Sequence, residues 1–174
     1  MLDSPMPTWL DQTLIWAGKR FGFIDRLTPA GRTLGRREQF SCVDEARRYF
    51  ASKALFRAFD PACLDAYVEH GLEPTAQGVR LRFDPETEIR IYRSVPHVTP
   101  GWPHALKMPL AVVRGRESRV VLPHHLYLLR LVAHGEAHTL PGGHMFPLER
   151  PRETAALLRQ LFGRWTELDR RGAA

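Results

Sequence analysis

Leu140-Pro141-Gly142-Gly143-His144-Met145-Phe146-Pro147-Leu148-Glu149-Arg150-Pro151 follows a short strand-like segment, Glu136 to Leu140, and precedes a helical pattern that starts at Pro151. Two successive glycines allow turns that a residue with a Cβ resists. His144 is therefore expected to project from a tight loop between a strand and a helix. Pro151 suits a first helical turn, where its missing N–H costs nothing. Beyond it Leu158, Leu161, Phe162 and Trp165 recur at i, i+3, i+4 and i+7, which predicts an amphipathic helix with these four on one face.

Working back from the loop, Val121 to Ala133 predicts a helix with Leu122, Leu126, Leu129 and Val132 on roughly one side, ending before Gly135. Ahead of it, Leu110-Ala111-Val112-Val113 is an unbroken apolar run stopped by Arg114-Gly115, as in a strand buried on both faces of a parallel sheet. Strand, helix, strand, loop and helix in that order describe the end of a doubly wound α/β sheet. From Trp9 to about Val95 the pattern is helical and irregular. Ser41 followed by Asp44 predicts a capping box for a helix through Tyr49 and Phe50. Asp60-Pro61 offers an N-cap and first-turn proline to a helix with Leu64, Tyr67 and Val68 on one face, closed by Gly71 in the left-handed conformation. Val79 to Phe83 alternates apolar and basic residues like a half-buried strand, so one hairpin is expected among these helices.

Pro109, the strand, Gly115-Arg116-Glu117-Ser118, the helix, the second strand, Gly142-Gly143-His144, Glu149, Pro151 and the final helix together resemble the terminal half of the α/β-hydrolase superfamily. In that superfamily the last core strand ends in a glycine-rich turn bearing the catalytic histidine. The resemblance implies an α/β fold: the C-terminal portion of an α/β-hydrolase, parallel strands flanked by helices, with an inserted helical cap. Residues 1–8 would be the end of the sixth core strand and the way into the cap, 9–105 the helical cap, and 106–174 the C-terminal part of the core. Over Trp9 to Val95 the resemblance is one of position only. It also implies that His144 is a general base, taking the proton of a nucleophile or activating water. Taken alone, G-G-H would fit any glycine-flanked histidine in a solvated loop.

The acid that would hold this imidazole is less direct. Most of the superfamily places an aspartate in a GxxD turn after the seventh strand, where this chain has Gly115-Arg116-Glu117-Ser118, and a serine supplies no negative charge. Some members place the acid after the sixth strand, just ahead of the cap, and Leu2-Asp3-Ser4-Pro5-Met6-Pro7-Thr8-Trp9 resembles that junction. Asp3 is thus the preferred acid and Glu117 the alternative; equally, Asp3 could simply cap a strand end.

No nucleophile accompanies them. None of Ser4, Ser41, Ser52, Ser94 and Ser118 has glycines two residues away on both sides, so the GxSxG-type elbow and the oxyanion-hole glycines are missing from these residues. The chain is accordingly expected to be a fragment, inactive by itself, of an enzyme that binds a small, largely apolar substrate and forms a covalent intermediate. Ester, epoxide and carbon–halogen cleavage stay open, since the nucleophile distinguishes them. A part-sheet would also expose an unpaired strand edge, predicting self-association.

Composition excludes other classes. With 44% apolar and 25% charged residues the chain is globular, and no apolar run approaches the length of a membrane span. The N-terminus carries neither a basic leader nor an apolar signal core, and the expected location is cytoplasmic. The net charge of +6 lies wholly between Lys19 and Arg57, with ten Lys/Arg against four acids, interleaved with aromatics such as Phe21, Phe40, Tyr49 and Phe50. That segment admits an alternative function, a non-enzymatic module binding nucleic acid or an acidic partner. No nucleic-acid motif supports it, and amphipathic helices with aromatic core faces account for the same pattern. Cys42 and Cys63 lack metal or redox spacing and read as small buried hydrophobes in helices. Adjacent His124 and His125 diverge on a helix, Gly135 breaks any helical register between His134 and His138, and His97 and His104 fall in a proline-rich loop that could face an active-site mouth. No metal and no cofactor are expected.

Overall fold

A computed structural model describes residues 1–4, 7–97, 106, 108–133 and 135–172. In chain order its elements are α1 (Trp9–Arg20), α2 (Ile24–Leu27), α3 (Ala30–Thr33), β1 (Gln39–Phe40), α4 (Val43–Ser52), α5 (Pro61–Gly71), β2 (Leu72–Thr75), β3 (Gly78–Leu81), α6 (Pro85–Ser94), β4 (Ala111–Gly115), α7 (Pro123–Ala133), β5 (Glu136–Leu140), α8 (Phe146–Glu149) and α9 (Pro151–Gly172). The chain divides into two compact units: Met1–Met6 with Ala54–Leu64 and Gly101–Ala174, and Pro7–Lys53 with Asp65–Pro100. Residues 54–64, expected within the cap, thus group with the first unit, where the Asp60 amide donates to Leu148 O at 2.8 Å.

In the first unit β4 and β5 pair in parallel, with Val113 opposite His138. On the other side of β4, Leu2 forms a parallel bridge to Val113, the Asp3 amide donates to Val113 O at 2.7 Å, and the Val113 amide donates to Met1 O at 2.9 Å. All five residues of β4 are consequently buried, as a strand between two parallel neighbours should be. It continues through Arg114 and Gly115, which the sequence reading takes as its stop. Hydrogen bonding to a neighbour outweighs residue preference here, because a parallel strand persists wherever its amides find acceptors. Val112 and Val121 form a buried core with Leu110, Val120 and Leu126 against them.

α9 begins at Pro151 as expected and buries Thr154 and Leu161, but Phe162, expected to share Leu161's buried face, is exposed. Glu136 on β5 receives hydrogen bonds from Arg164 at 2.6 Å and His138 at 3.2 Å. Burial pushes the Glu136 carboxyl up, and the bonds from Arg164, His138 and Trp165 outweigh it, leaving the group below its ordinary value. The side chains of Leu129 and Val132 lie outside the described residues.

In the second unit β1, β3 and β2 form an antiparallel sheet in that order, so the expected hairpin gains a third strand. Phe50 meets Phe40 at a tilt and Tyr67 edge-on, with ring centroids 5.6 and 5.2 Å apart, and Phe40 and Phe50 are buried. Of the aromatics in the basic segment, Phe40 and Phe50 are core, Phe23, Tyr49 and Phe56 are half-buried, and Phe21 is exposed. Its cations are partly engaged too: Arg37 lies over Phe40, Lys53 over Tyr49, and Arg47 pairs with Asp65.

Three local expectations change. Ser41 pairs with Glu45 rather than Asp44, through its amide and its hydroxyl, each at 2.7 Å, because α4 begins one position later with Cys42 as its N-cap residue. Cys42 is accordingly exposed and Cys63 half-buried, neither a core residue. Gly71 does not adopt positive φ, since α5 passes directly into β2 and leaves no turn to close. Asp60, by contrast, does cap α5, accepting from the Ala62 amide at 2.9 Å.

Candidate active site

The loop after β5 is held by the end of β4. The Arg116 amide donates to Leu140 O at 2.8 Å and the Glu117 amide to Gly142 O at 3.0 Å, so the parallel ladder runs on past the strands into the turn and the loop. Gly115 makes this approach possible: a Cβ there would overlap the carbonyl oxygens of Gly142 and Gly143. Gly142 itself has φ +112°, open to glycine and strained for other residues. Two carboxylates then secure the glycine amides, Glu117 accepting from Gly142 and Glu149 from Gly143, each at 2.7 Å. Buried Phe146 anchors the far side. His144 stands at the top of this loop.

Asp3 meets it there. Its Oδ2 lies 2.8 Å from His144 Nδ1, its Oδ1 accepts the Gly115 amide at 3.2 Å, and Oδ2 also accepts the Ser118 hydroxyl. Asp3 is 1% exposed, so burial of its charge would be costly without donors, and three of them converge on it. Its φ of +43° is the left-handed conformation, which aspartate tolerates better than most residues. An ionised carboxylate can only accept, so its bond to His144 Nδ1 calls for the imidazole tautomer that carries its proton on Nδ1. The imidazole is 47% exposed, and among the described residues no hydrogen bond reaches its Nε2. An oriented imidazole with one nitrogen held by a buried carboxylate and the other open is the arrangement that general-base chemistry needs.

The chain matches no known family profile and no curated protein sequence. Among solved structures it resembles E-2-(acetamidomethylene)succinate hydrolase, with a TM-score of 0.67 and 17% identity over 80% of this chain and 52% of that one. It is also similar to a peroxisomal α/β-hydrolase of Saccharomyces cerevisiae, with a TM-score of 0.64 and 14% identity over 95% of this chain and 43% of the other. An M. tuberculosis esterase matches with a TM-score of 0.58 and 19% identity, over 92% of this chain and 52% of that protein. The chain has part of an α/β-hydrolase fold. It spans about half the length of these structures.

Within that partial α/β-hydrolase fold, the structure brings Asp3 and His144 together across 141 residues of sequence. Glu117, the alternative acid, is exposed and spends its carboxylate on the Gly142 amide. Ser118, discounted in sequence for lack of charge, is 5% exposed and bonded to Asp3. Its place in the turn 115–118, where the resemblance would put an acid, was the available signal. His97 lies in the second unit, lining a shallow cavity of about 310 Å³ with Trp9, Gln12, Thr13 and Trp16. His104 and His134 are outside the described residues. No group of three metal-ligating side chains occurs among the described residues, nor any helix long and apolar enough to cross a membrane.

Proposed function

We propose that this chain supplies the histidine–acid half of a hydrolytic site acting on a small, largely apolar substrate. Asp3 holds His144 in the Nδ1–H tautomer and stabilises the imidazolium formed when Nε2 accepts a proton. Nε2 takes that proton from a nucleophile or from water attacking a covalent intermediate, and returns it to the leaving group. The observation that carries this reading is the 2.8 Å contact between Asp3 Oδ2 and His144 Nδ1, on the loop after β5 of a partial α/β-hydrolase fold. Similarity of fold to a hydrolase and an esterase supports the reaction class.

Ser118 is committed to Asp3 and the remaining serines lack an elbow, so the nucleophile is expected from a segment outside these 174 residues. The test is the transcript encoding this chain. A GxSxG-type elbow, or its Cys or Asp counterpart, should be encoded in frame ahead of Met1. The protein translated from that start should hydrolyse p-nitrophenyl esters, epoxides or haloalkanes according to its nucleophile. His144→Ala and Asp3→Asn should each lower its kcat by about 10³–10⁴-fold. Full activity in His144→Ala would overturn the assignment. The 174-residue chain by itself should show no turnover, and it should sediment as oligomers through the open edge beside Leu2.

A further inference from the structure

We infer that Ser118 is a positioning residue for the acid: its hydroxyl aims the Asp3 carboxylate at His144. The inference rests on the pairing of Asp3 with His144 and deepens it. Both the Ser118 hydroxyl and His144 Nδ1 bind the same oxygen, Asp3 Oδ2, while Oδ1 is taken by the Gly115 amide. A carboxylate held only at Oδ1 could still swing about its Cα–Cβ bond. The second donor at Oδ2 removes that freedom.

The direction of the hydroxyl is itself set. The Val120 amide donates to Ser118 Oγ at 3.1 Å, which occupies a lone pair and turns the O–H toward Asp3. The backbone of Ser118 is also tied at both ends: its amide donates to Gly115 O at 3.1 Å, and Arg114 Nη2 donates to its carbonyl at 3.2 Å. Arg114 is buried in β4 and bonds the Arg116 carbonyl at 3.0 Å as well, bracing the whole turn 116–118. The result is a line of donors, Val120 amide to Ser118 hydroxyl to Asp3, ending opposite the imidazole. Ser118 moves no proton; it determines which way the carboxylate faces and hence which tautomer His144 adopts.

The experiment is ¹⁵N NMR of the histidine ring nitrogens in the full 174-residue chain, above the imidazole titration, in wild type, Ser118→Ala and Ser118→Thr. Wild-type His144 should give two widely separated nitrogen shifts, the mark of a single Nδ1–H tautomer. In Ser118→Ala the two shifts should move together toward the averaged values of an unrestrained imidazole, and in Ser118→Thr, which keeps the hydroxyl, they should stay apart. Undisturbed separation in a folded Ser118→Ala would overturn the inference, even if that variant melts earlier. A second measurement needs no variant: the wild-type Ser118 hydroxyl proton should exchange slowly and show a nuclear Overhauser effect to the His144 Nδ1 proton, and its absence would equally overturn the inference. Averaged shifts in the wild type would instead overturn the Asp3–His144 pairing. Because neither measurement requires turnover, failure of the hydrolytic reading is distinguishable from failure of this one.

Discussion

Asp3 in the first unit and Glu88 in the second receive much the same partners, yet they do different work. Each carboxylate accepts a hydroxyl, from Ser118 or Thr33, and a side-chain nitrogen, from His144 or Arg36; Asp3 accepts the Gly115 amide as well, and Glu88 is also bonded by Tyr92. Glu88 holds a guanidinium that is charged at every accessible pH, and the bond ties the segment just after α3 to α6. Its side chain is 19% exposed, so water shares in its solvation. Asp3 is sealed from water and holds a titratable ring whose far nitrogen is open. A charged partner makes a tether; a titratable, half-exposed partner on a buried carboxylate leaves one nitrogen accessible, which is what the proposed proton transfer requires.

Removing each carboxylate should break the likeness most visibly. Asp3→Ala leaves the Gly115 amide and the Ser118 hydroxyl buried without an acceptor, at a cost of about 3 kcal/mol. Glu88→Ala, losing a partly solvated pair, should cost about 1 kcal/mol. Amide hydrogen exchange at Val113 to Gly115 and at Ile89 separates the two effects; equal costs would dissolve the distinction. Gly115→Ala probes the first site through its backbone. The added methyl must displace the Gly142 and Gly143 carbonyls, destabilising the β4 end by about 2–3 kcal/mol and collapsing the single-tautomer signature of His144.

Salt should sharpen the contrast more gently. Raising ionic strength to about 1 M shortens the screening length to about 3 Å, which should weaken the Arg36–Glu88 tether by less than about 1 kcal/mol while leaving the His144 ring shifts unchanged. Smallest is the response of a third carboxylate, Glu45, whose hydroxyl partner is Ser41. The Ser41 amide and hydroxyl, with help from Arg37, hold its carboxyl down to about 2 against an ordinary value of 4.5. A depressed acid contributes above its unfolded value and loses that contribution as pH falls through its folded one. Protection of the Ser41 and Ala46 amides should hold at pH 5 and fade toward pH 2, a dependence that Glu45→Gln abolishes.

Local chemistry made the elements legible. β5 begins and ends where its residues predict, α9 starts at Pro151, and Asp60 caps α5, because each depends on neighbours within one turn or one strand. The misses were also local but competitive: Glu45 in place of Asp44 as the partner of Ser41, and Gly71 without its left-handed turn. Phe162 failed for another reason, since a helical period states which residues share a face but not how much of that face is covered.

The site divides along the same line. By itself the sequence determined that His144 stands in a glycine loop after a strand, and that Asp3 and Glu117 were the carboxylates to consider. Only the tertiary structure decided that Asp3 faces the imidazole, that Glu117 secures the Gly142 amide, and that Ser118 belongs to the pair. The bonds to Asp3 span 112, 115 and 141 residues, and no local preference reports on them. They form because the residues around Leu2 lie parallel beside β4, which sets the Asp3 carboxylate against the strand end where the loop bearing His144 is already hydrogen-bonded.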